Sequence, residues 1–193
     1  MFLLKNDHWC IKKTVEKGYG VFAKKAIPKS TVIGDYLGTV VNMAEYDLSS
    51  DKNGLYLMYC TDKASIYPDI KRPGIHLINH SCRPNCWMYI YAGHTLFFAL
   101  TKIAPGEELT ISYLLSPKDE SCRNCAHVCK CGSTSCTGTM HLSKDKYEIW
   151  QKFQNEKRRK TKKVKIIFGE NLPKLAVYPQ KIPINPIYAT IYL

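Results

Sequence analysis

A chain of 193 residues, 45% of them apolar, has room for one domain of ordinary size with an extension and should fold as one unit. Twenty-eight Lys and Arg against sixteen Asp and Glu give a formal charge of +12, which suits contact with phosphates, acidic protein patches or anionic lipid and by itself chooses none of them. Lys5, Asp7 and His8 follow directly on a short apolar start, so no signal-peptide hydrophobic region can be built there. The most apolar stretch, residues 87–100, is broken by Gly93 and His94 and is too short to cross a bilayer as a helix; a soluble protein with no membrane partner is expected.

Residues 31–41 are rich in Val, Ile and Tyr, are interrupted by Gly34 and Gly38, and lack a helical period, which predicts short strands. Residues 87–92 and 95–100 are two further β-prone runs, joined across Gly93-His94 in the manner of a hairpin. A mostly β architecture follows. The clearest helix covers residues 144–157, where Tyr147, Trp150, Gln151 and Gln154 recur among charged residues. Beyond it, Lys157, Arg158, Arg159, Lys160, Lys162, Lys163 and Lys165 follow one another with no acid between them, a run that repels itself unless something anionic binds. Phosphate contact, as on nucleosomal DNA, and simple solvation are equal readings of residues 157–165, and a nuclear import signal is a third. Residues 166–193 carry Pro173, Pro179, Pro183 and Pro186, which disfavour helices and central strands, so an extended tail is expected, either docked or loose.

Three segments carry candidate chemistry. Lys17-Gly18-Tyr19-Gly20-Val21-Phe22 sets two glycines around an aromatic, which permits close approach of backbone to a ligand, although such a segment is more often an ordinary tight turn. Asn79-His80-Ser81-Cys82-Arg83-Pro84-Asn85-Cys86 concentrates hydrogen-bonding side chains and thiols, types that packing alone does not require, although taken by itself it reads equally as a polar loop whose Asn and His satisfy nearby backbone groups. Glu107-Glu108-Leu109-Thr110-Ile111-Ser112-Tyr113 follows a Pro105-Gly106 turn and reads as a strand delivering a tyrosine.

Nine cysteines is an odd number, and five of them crowd between Cys122 and Cys136 at spacings that suit a metal better than disulfides, which favours a reducing compartment. Cys129, Cys131 and Cys136 can converge on one tetrahedral ion that needs a fourth ligand from elsewhere. Cys122 and Cys125 form a further pair, and with His127 they offer an alternative ligand set or a second metal. Cys10, Cys60 and Cys86 read as small apolar residues.

The order Gly-Tyr-Gly, then Asp35-Tyr36-Leu37-Gly38, then Asn79-His80-Ser81-Cys82-x-Pro84-Asn85, then Gly106-Glu107-Glu108-Leu109-Thr110-x-x-Tyr113 resembles the motif order of SET-domain lysine methyltransferases over residues 14–140. The resemblance implies a SET fold of short strands in small sheets with a knot-like C-terminal crossing. Together with the helix, basic run and prolines read above, it divides the chain into a SET domain at 1–117, a post-SET zinc segment at 118–141, a helix and basic run at 142–165 and a Pro-rich tail at 166–193. It supplies Cys82 as the fourth thiolate, giving a structural zinc on Cys82, Cys129, Cys131 and Cys136. It implies S-adenosylmethionine as methyl donor, held by Gly18, Tyr19, Tyr56, Asn79, His80 and Tyr113, with Tyr113 beside the methyl and Tyr36 as a second tyrosine of the lysine channel. The implied substrate is a lysine of a histone or another basic protein, in a nucleus of its own or of a host, otherwise in the cytoplasm. A non-histone target and a catalytically silent zinc module on chromatin or nucleic acid are the rival readings. His76-Leu77, Ser112 and Ile111 depart from the usual Arg-Phe, Asp and Phe or Tyr of the family. The third is closer to the SET-MYND branch, although no MYND module is present, and it implies di- or trimethyl product.

Overall fold

The computed structural model describes residues 1–47, 56–61, 63–122, 125–160 and 167–192, and it is built mainly of short strands in small sheets. β1 (Trp9–Lys13) and β2 (Tyr19–Ala23) pair antiparallel. β3 (Val32–Asp35) and β4 (Thr39–Asn42) divide the 31–41 segment near its glycines and enter different sheets. β5 (Met58–Thr61) and β6 (Ala64–Tyr67) pair antiparallel, with β4 on the other side of β6. After β7 (Asn79–His80), β8 (Cys86–Tyr91) and β9 (His94–Ala99) form a hairpin to which β3 adds along β9. β10 (Thr110–Ile111) lies parallel to β7. β9, covered on both edges, is buried along its whole length.

The hairpin turns one residue earlier than expected. Ala92 and Gly93 both have positive φ, 46° and 81°, the backbone that a tight two-residue turn between right-twisted strands requires. His94 is therefore not a turn residue but the first residue of β9. It is 3% exposed, and its Nδ1 stands 2.7 Å from Asp35 Oδ2, which also accepts the Tyr178 hydroxyl at 2.9 Å.

Two apolar clusters hold these sheets. One joins Val21, Ile33, Val40, Ile66, Ile78, Leu109 and Ile111 beneath the small sheets. The other packs Trp87, Leu96 and Phe98 of the hairpin against Ile149, Trp150 and Phe153 of α1 (Lys144–Lys160). Ile149 and Trp150 stand four and three residues before Phe153, so both neighbour it on the helix surface. Asp145 in the first turn complements the positive end of the helix dipole. α1 continues three residues past its expected end, into the basic run. The side chains of 157–160, and all of 161–166, lie outside the described residues, and with them most of the expected phosphate-contact surface.

The tail docks. Val32 N–H donates to Gln180 O at 2.9 Å, Ile182 N–H to Ser30 O at 2.9 Å, and Leu172 N–H to Gly38 O at 2.9 Å. Contrary to the expectation drawn from its prolines, the tail also contains a helix, α2 (Ile187–Tyr192). Pro186 stands immediately before the first helical residue, where a missing N–H costs nothing and a fixed φ helps. Tyr188 and Ile191, at 3% and 0% exposure, complete the cluster around Trp87.

Candidate active site

The β7–β10 pairing sets Thr110 opposite Asn79 and Ile111 opposite His80, so two motifs about thirty residues apart in sequence become neighbours. Asn85 locks them together: Thr110 N–H donates to its Oδ1 at 2.9 Å, and its Nδ2 donates to Glu108 O at 2.9 Å. Asn79 Nδ2 donates both to Glu108 Oε1 at 2.8 Å and to Tyr19 O at 3.1 Å. Lys17 Nζ meets the other Glu108 oxygen at 2.5 Å. A Cβ on Gly20 would stand 2.6 Å from Glu108 Oε1 and 2.8 Å from Asn79 Nδ2, so only glycine admits this pair. Gly18, at φ 73°, turns the chain in the left-handed region. The Gly-Tyr-Gly segment is thus fitted to the Asn79–Glu108 bond. Sequence reasoning gave neither Glu108 nor Asn85 a role; the Glu-Glu pair after Pro105-Gly106 was the available signal.

Tyr113 N–H donates to His80 Nδ1 at 3.2 Å, which assigns the ring proton to Nε2, and Nε2 faces Cys82 Sγ at 3.7 Å. Burial, helped by the nearby charge of Lys17, pushes the His80 pKa down to about 4, so the ring is neutral. The Tyr113 hydroxyl donates to Ile78 O at 3.4 Å, and burial raises its pKa to about 12. Tyr36 is 3% exposed and donates its hydroxyl to the Tyr56 carbonyl; burial holds it above the usual phenol range.

Beside these groups opens a cleft of about 540 Å³. It is lined by Gly18, Tyr19, Tyr56, His76, Asn79, His80 and Tyr113 of the strand region and by Ala126, Val128, Cys129, Lys130 and Met140 of the cysteine-rich segment. All six residues expected to hold the cofactor border this space. Tyr36 does not; it lies behind Tyr56. His76, one of the departures, borders the cleft with Tyr56 edge-on to its ring at 5.4 Å. The cleft falls within the usual size of small-molecule sites, roughly 300–1,000 Å³.

The cysteines separate into two groups. The ligand atoms of Cys82, Cys129, Cys131 and Cys136 all lie within 4.8 Å of one another, with Cys82 Sγ and Cys129 Sγ 3.6 Å apart. Sulfurs around a tetrahedral zinc with ~2.3 Å bonds are about 3.8 Å apart, so these four fit that ion. Burial raises the Cys131 thiol, yet hydrogen bonds from the backbone N–H groups of Cys82 and Ser133 and from the thiols of Cys129 and Cys136 together bring its pKa down to about 6, favouring a thiolate. The second group is Cys122, Cys125 and His141, within the same 4.8 Å limit. The sequence did not single out His141; the return of the chain along residues 139–141 brings it inward, and the expected His127 stands beside it, its Nδ1 3.2 Å from His141 Nε2.

Comparison with known proteins agrees with this arrangement. The family model "SET domain" matches residues 18–114. The chain is 33% identical over 143 residues to "Histone-lysine N-methyltransferase, H3 lysine-36 specific" of Mycosarcoma maydis, covering 67% of this chain and 14% of that protein. It is 33% identical over 159 residues to the H3 lysine-9 specific enzyme of Schizosaccharomyces pombe, covering 66% of this chain and 32% of that one. It is 28% identical over 167 residues to the human H3 lysine-36 specific enzyme, covering 77% of this chain and 6% of that one. The chain thus spans a third or less of each of these relatives.

Proposed function

The chain belongs to the SET-domain family, and from that premise we propose that it is a protein-lysine N-methyltransferase using S-adenosylmethionine and acting on a lysine of a histone or similarly basic protein. One observation carries the reading: Tyr113, Asn79 and His80 meet at the edge of a single ligand-sized cleft. The proposed units are a SET domain at 1–117, a post-SET segment at 118–141, a helix and basic run at 142–165, and the docked tail at 166–193.

Bound in the cleft, S-adenosylmethionine supplies a methyl group already activated by a sulfonium. The chain's residues do the rest. Gly18 and Tyr19 would let backbone and ring approach the cofactor, with Asn79, His80 and Tyr56 along the same wall. The Tyr113 hydroxyl and the Ile78 carbonyl, 3.4 Å apart, offer oxygens for weak C–H···O contacts that orient a polarised methyl. The incoming amine must be neutral although a free lysine has a pKa near roughly 10.4, and the protonated form is penalised by desolvation among tyrosines. The proton is left to water before entry; positioning then carries much of the rate. Tyr36, hydrogen-bonded to the Tyr56 carbonyl, fixes the back of the tyrosine group.

Zinc on Cys82, Cys129, Cys131 and Cys136 would fasten the cysteine-rich lining of the cleft to the Asn-His-Ser-Cys motif, since Cys129 belongs to the first and Cys82 to the second. The basic run would bring the enzyme to nucleosomal DNA and address it to a nucleus. Among the described residues no helix is long and apolar enough to cross a membrane.

Incubation with labelled S-adenosylmethionine and a panel of histones, nucleosomes and non-histone basic proteins tests the proposal. Label on histone lysine supports it in full. Label only on a non-histone protein keeps the reaction and replaces the substrate. No label, with no binding of the donor, removes the enzyme reading.

A further inference from the structure

We propose a second zinc site, distinct from the four-thiol cluster, in which Cys122, Cys125 and His141 bind the ion and His127 closes the tetrahedron. The two clusters share no residue, and the donor atoms of Cys122, Cys125 and His141 lie within 4.8 Å of one another, as do those of the four thiols. None of the cysteines is in a disulfide.

The geometry of His141 points to a ligand. Its Nδ1 lies 2.5 Å from the Ser116 carbonyl, an acceptor that can only receive a proton, so Nδ1 carries the hydrogen and Nε2 presents a bare lone pair. A histidine held through one nitrogen by a carbonyl, with the other free to bind, is the usual arrangement around protein-bound zinc. That lone pair faces Cys125 Sγ at 3.3 Å and His127 Nδ1 at 3.2 Å. Nitrogen ligands of a tetrahedral zinc with ~2.0 Å bonds stand about 3.3 Å apart, and a nitrogen and a sulfur about 3.5 Å, so both separations are those of neighbours on one ion. His141 is buried and Cys122 and Cys125 are half-buried, an enclosure that suits a structural site and not a surface scavenger.

The surrounding backbone is organised for this purpose. Met140 N–H donates to His127 O at 2.9 Å, Cys129 N–H to Gly138 O at 3.1 Å, and Leu142 N–H to Leu115 O at 3.1 Å. Residues 125–129 and 138–142 are thus tied to each other and to the end of the SET segment. Ala126, Val128 and Cys129, which border the cleft, lie between the pair Cys122/Cys125 and the rest of the four-thiol cluster. Each end of that short wall is then pinned by its own ion.

Elemental analysis of the full chain, produced with zinc and kept reduced, should find two zinc ions per molecule. Cys125→Ser should lower the content to one, as should Cys131→Ser, and the double variant should hold none. Cobalt replacement separates the sites: the metal remaining in Cys131→Ser should show the weaker thiolate-to-metal absorption of two sulfurs, and that in Cys125→Ser the stronger absorption of four. Should Cys125→Ser fail to fold, His127→Gln supplies the test; it should release one of two zinc ions to a chelator at least ~10-fold faster than wild type. A wild-type chain holding one zinc that survives Cys125→Ser overturns the proposal. One zinc that survives Cys131→Ser and is lost in Cys125→Ser upholds it and removes the four-thiol site instead. Unchanged release from His127→Gln overturns the place given to His127.

Discussion

Tyr113 is held by His80: its backbone N–H donates to His80 Nδ1 at 3.2 Å, and the two rings meet edge-on with centroids 5.4 Å apart. Because His80 Nε2 also faces Cys82, the tyrosine, the Asn-His pair and the four-thiol cluster form one connected unit. Tyr113→Phe removes only the hydroxyl and leaves the backbone bond to His80 in place. Methyl transfer should fall by roughly 10²-fold with little change in cofactor affinity, as for loss of one oriented polar group at a reacting centre. Single-turnover rates and cofactor titration measure both. Wild-type turnover in the variant would take Tyr113 out of the chemistry.

The pH profile follows from the same residue. Its phenol, raised by burial to about 12, stays neutral across the working range, whereas the lysine substrate loses its proton more readily as pH rises. kcat/KM on a peptide should therefore climb with a slope of about one log unit per pH unit from ~7 to ~9, below the lysine pKa, with no descending limb in that window. Initial rates across that window decide. A fall above pH ~8 would show that a cleft phenol ionises far below the value its burial dictates.

Glu108 should prove as important as the residues named by motif. It joins Lys17 and Asn79, and its side chain is 18% exposed. Glu108→Gln keeps the shape but loses the ion pair and sets an amide N–H against either Asn79 or Lys17. A cost of about 1–3 kcal/mol is expected for the unsatisfied groups, seen as a lower Tm and a weaker cofactor Kd together. If thermal unfolding and cofactor titration both match wild type, the bond does not shape the cleft.

The thiol cluster should be structural. Cys131→Ser, or treatment with a strong chelator, should lower zinc content, reduce Tm and weaken cofactor binding in the same preparation, because Cys129 borders the cleft. Activity that is unchanged in metal-free protein would separate the metal from the cleft altogether.

Much of the cleft's lining was legible in the sequence because Gly18, Tyr19, Asn79, His80 and Tyr113 fall in short motifs whose order alone suggested their meeting. The residues that make them meet were not. Asn85 and Glu108 act through backbone groups and through each other's neighbours, and such bonds exist only once β7 and β10 lie in parallel. His94 was misplaced for a related reason: Gly93 advertised a turn, but only the positive φ of Ala92 fixes which two residues form it. His141 stands apart from any cysteine spacing and reaches Cys125 through a chain reversal that the local pattern does not encode. The tail's prolines correctly discouraged strands in its interior, yet Pro186 starts a helix whose Ile191 needs the hairpin's Trp87 cluster to be buried.

The basic run should matter for nucleosomes more than for peptides. Replacing Lys157, Arg158, Arg159 and Lys160 with Gln removes four phosphate-seeking charges, which should flatten the dependence of log affinity on log salt by about 3–4. Binding titrations on nucleosomes at several salt concentrations measure this. Equal losses on nucleosomes and on free peptides would indicate a folding defect of α1 and not a DNA contact.

The number of methyl groups added should be set in part by Ile111. It stands opposite His80 in the β7–β10 pairing, is 3% exposed, and packs in the same cluster as Tyr36, Ile78 and Tyr113. Related enzymes often carry Phe or Tyr at this position, and a tyrosine there holds a water that restricts the amine after one methyl. Ile111 has no hydroxyl to anchor that water and is smaller than either ring. A methylated nitrogen must still align with the donor, so the volume and polarity of one residue packed among these tyrosines can change the product without changing the reaction. Wild type should carry a single-lysine peptide to the di- or trimethyl state. Ile111→Tyr should stall it largely at monomethyl, with the first transfer slowed by less than about tenfold, since the donor side of the cleft is untouched. Mass spectrometry of exhaustive reactions reads both outcomes. A wild type that stops at one methyl would place the restriction elsewhere in the tyrosine group, with Tyr56 and Tyr36 the residues to vary next.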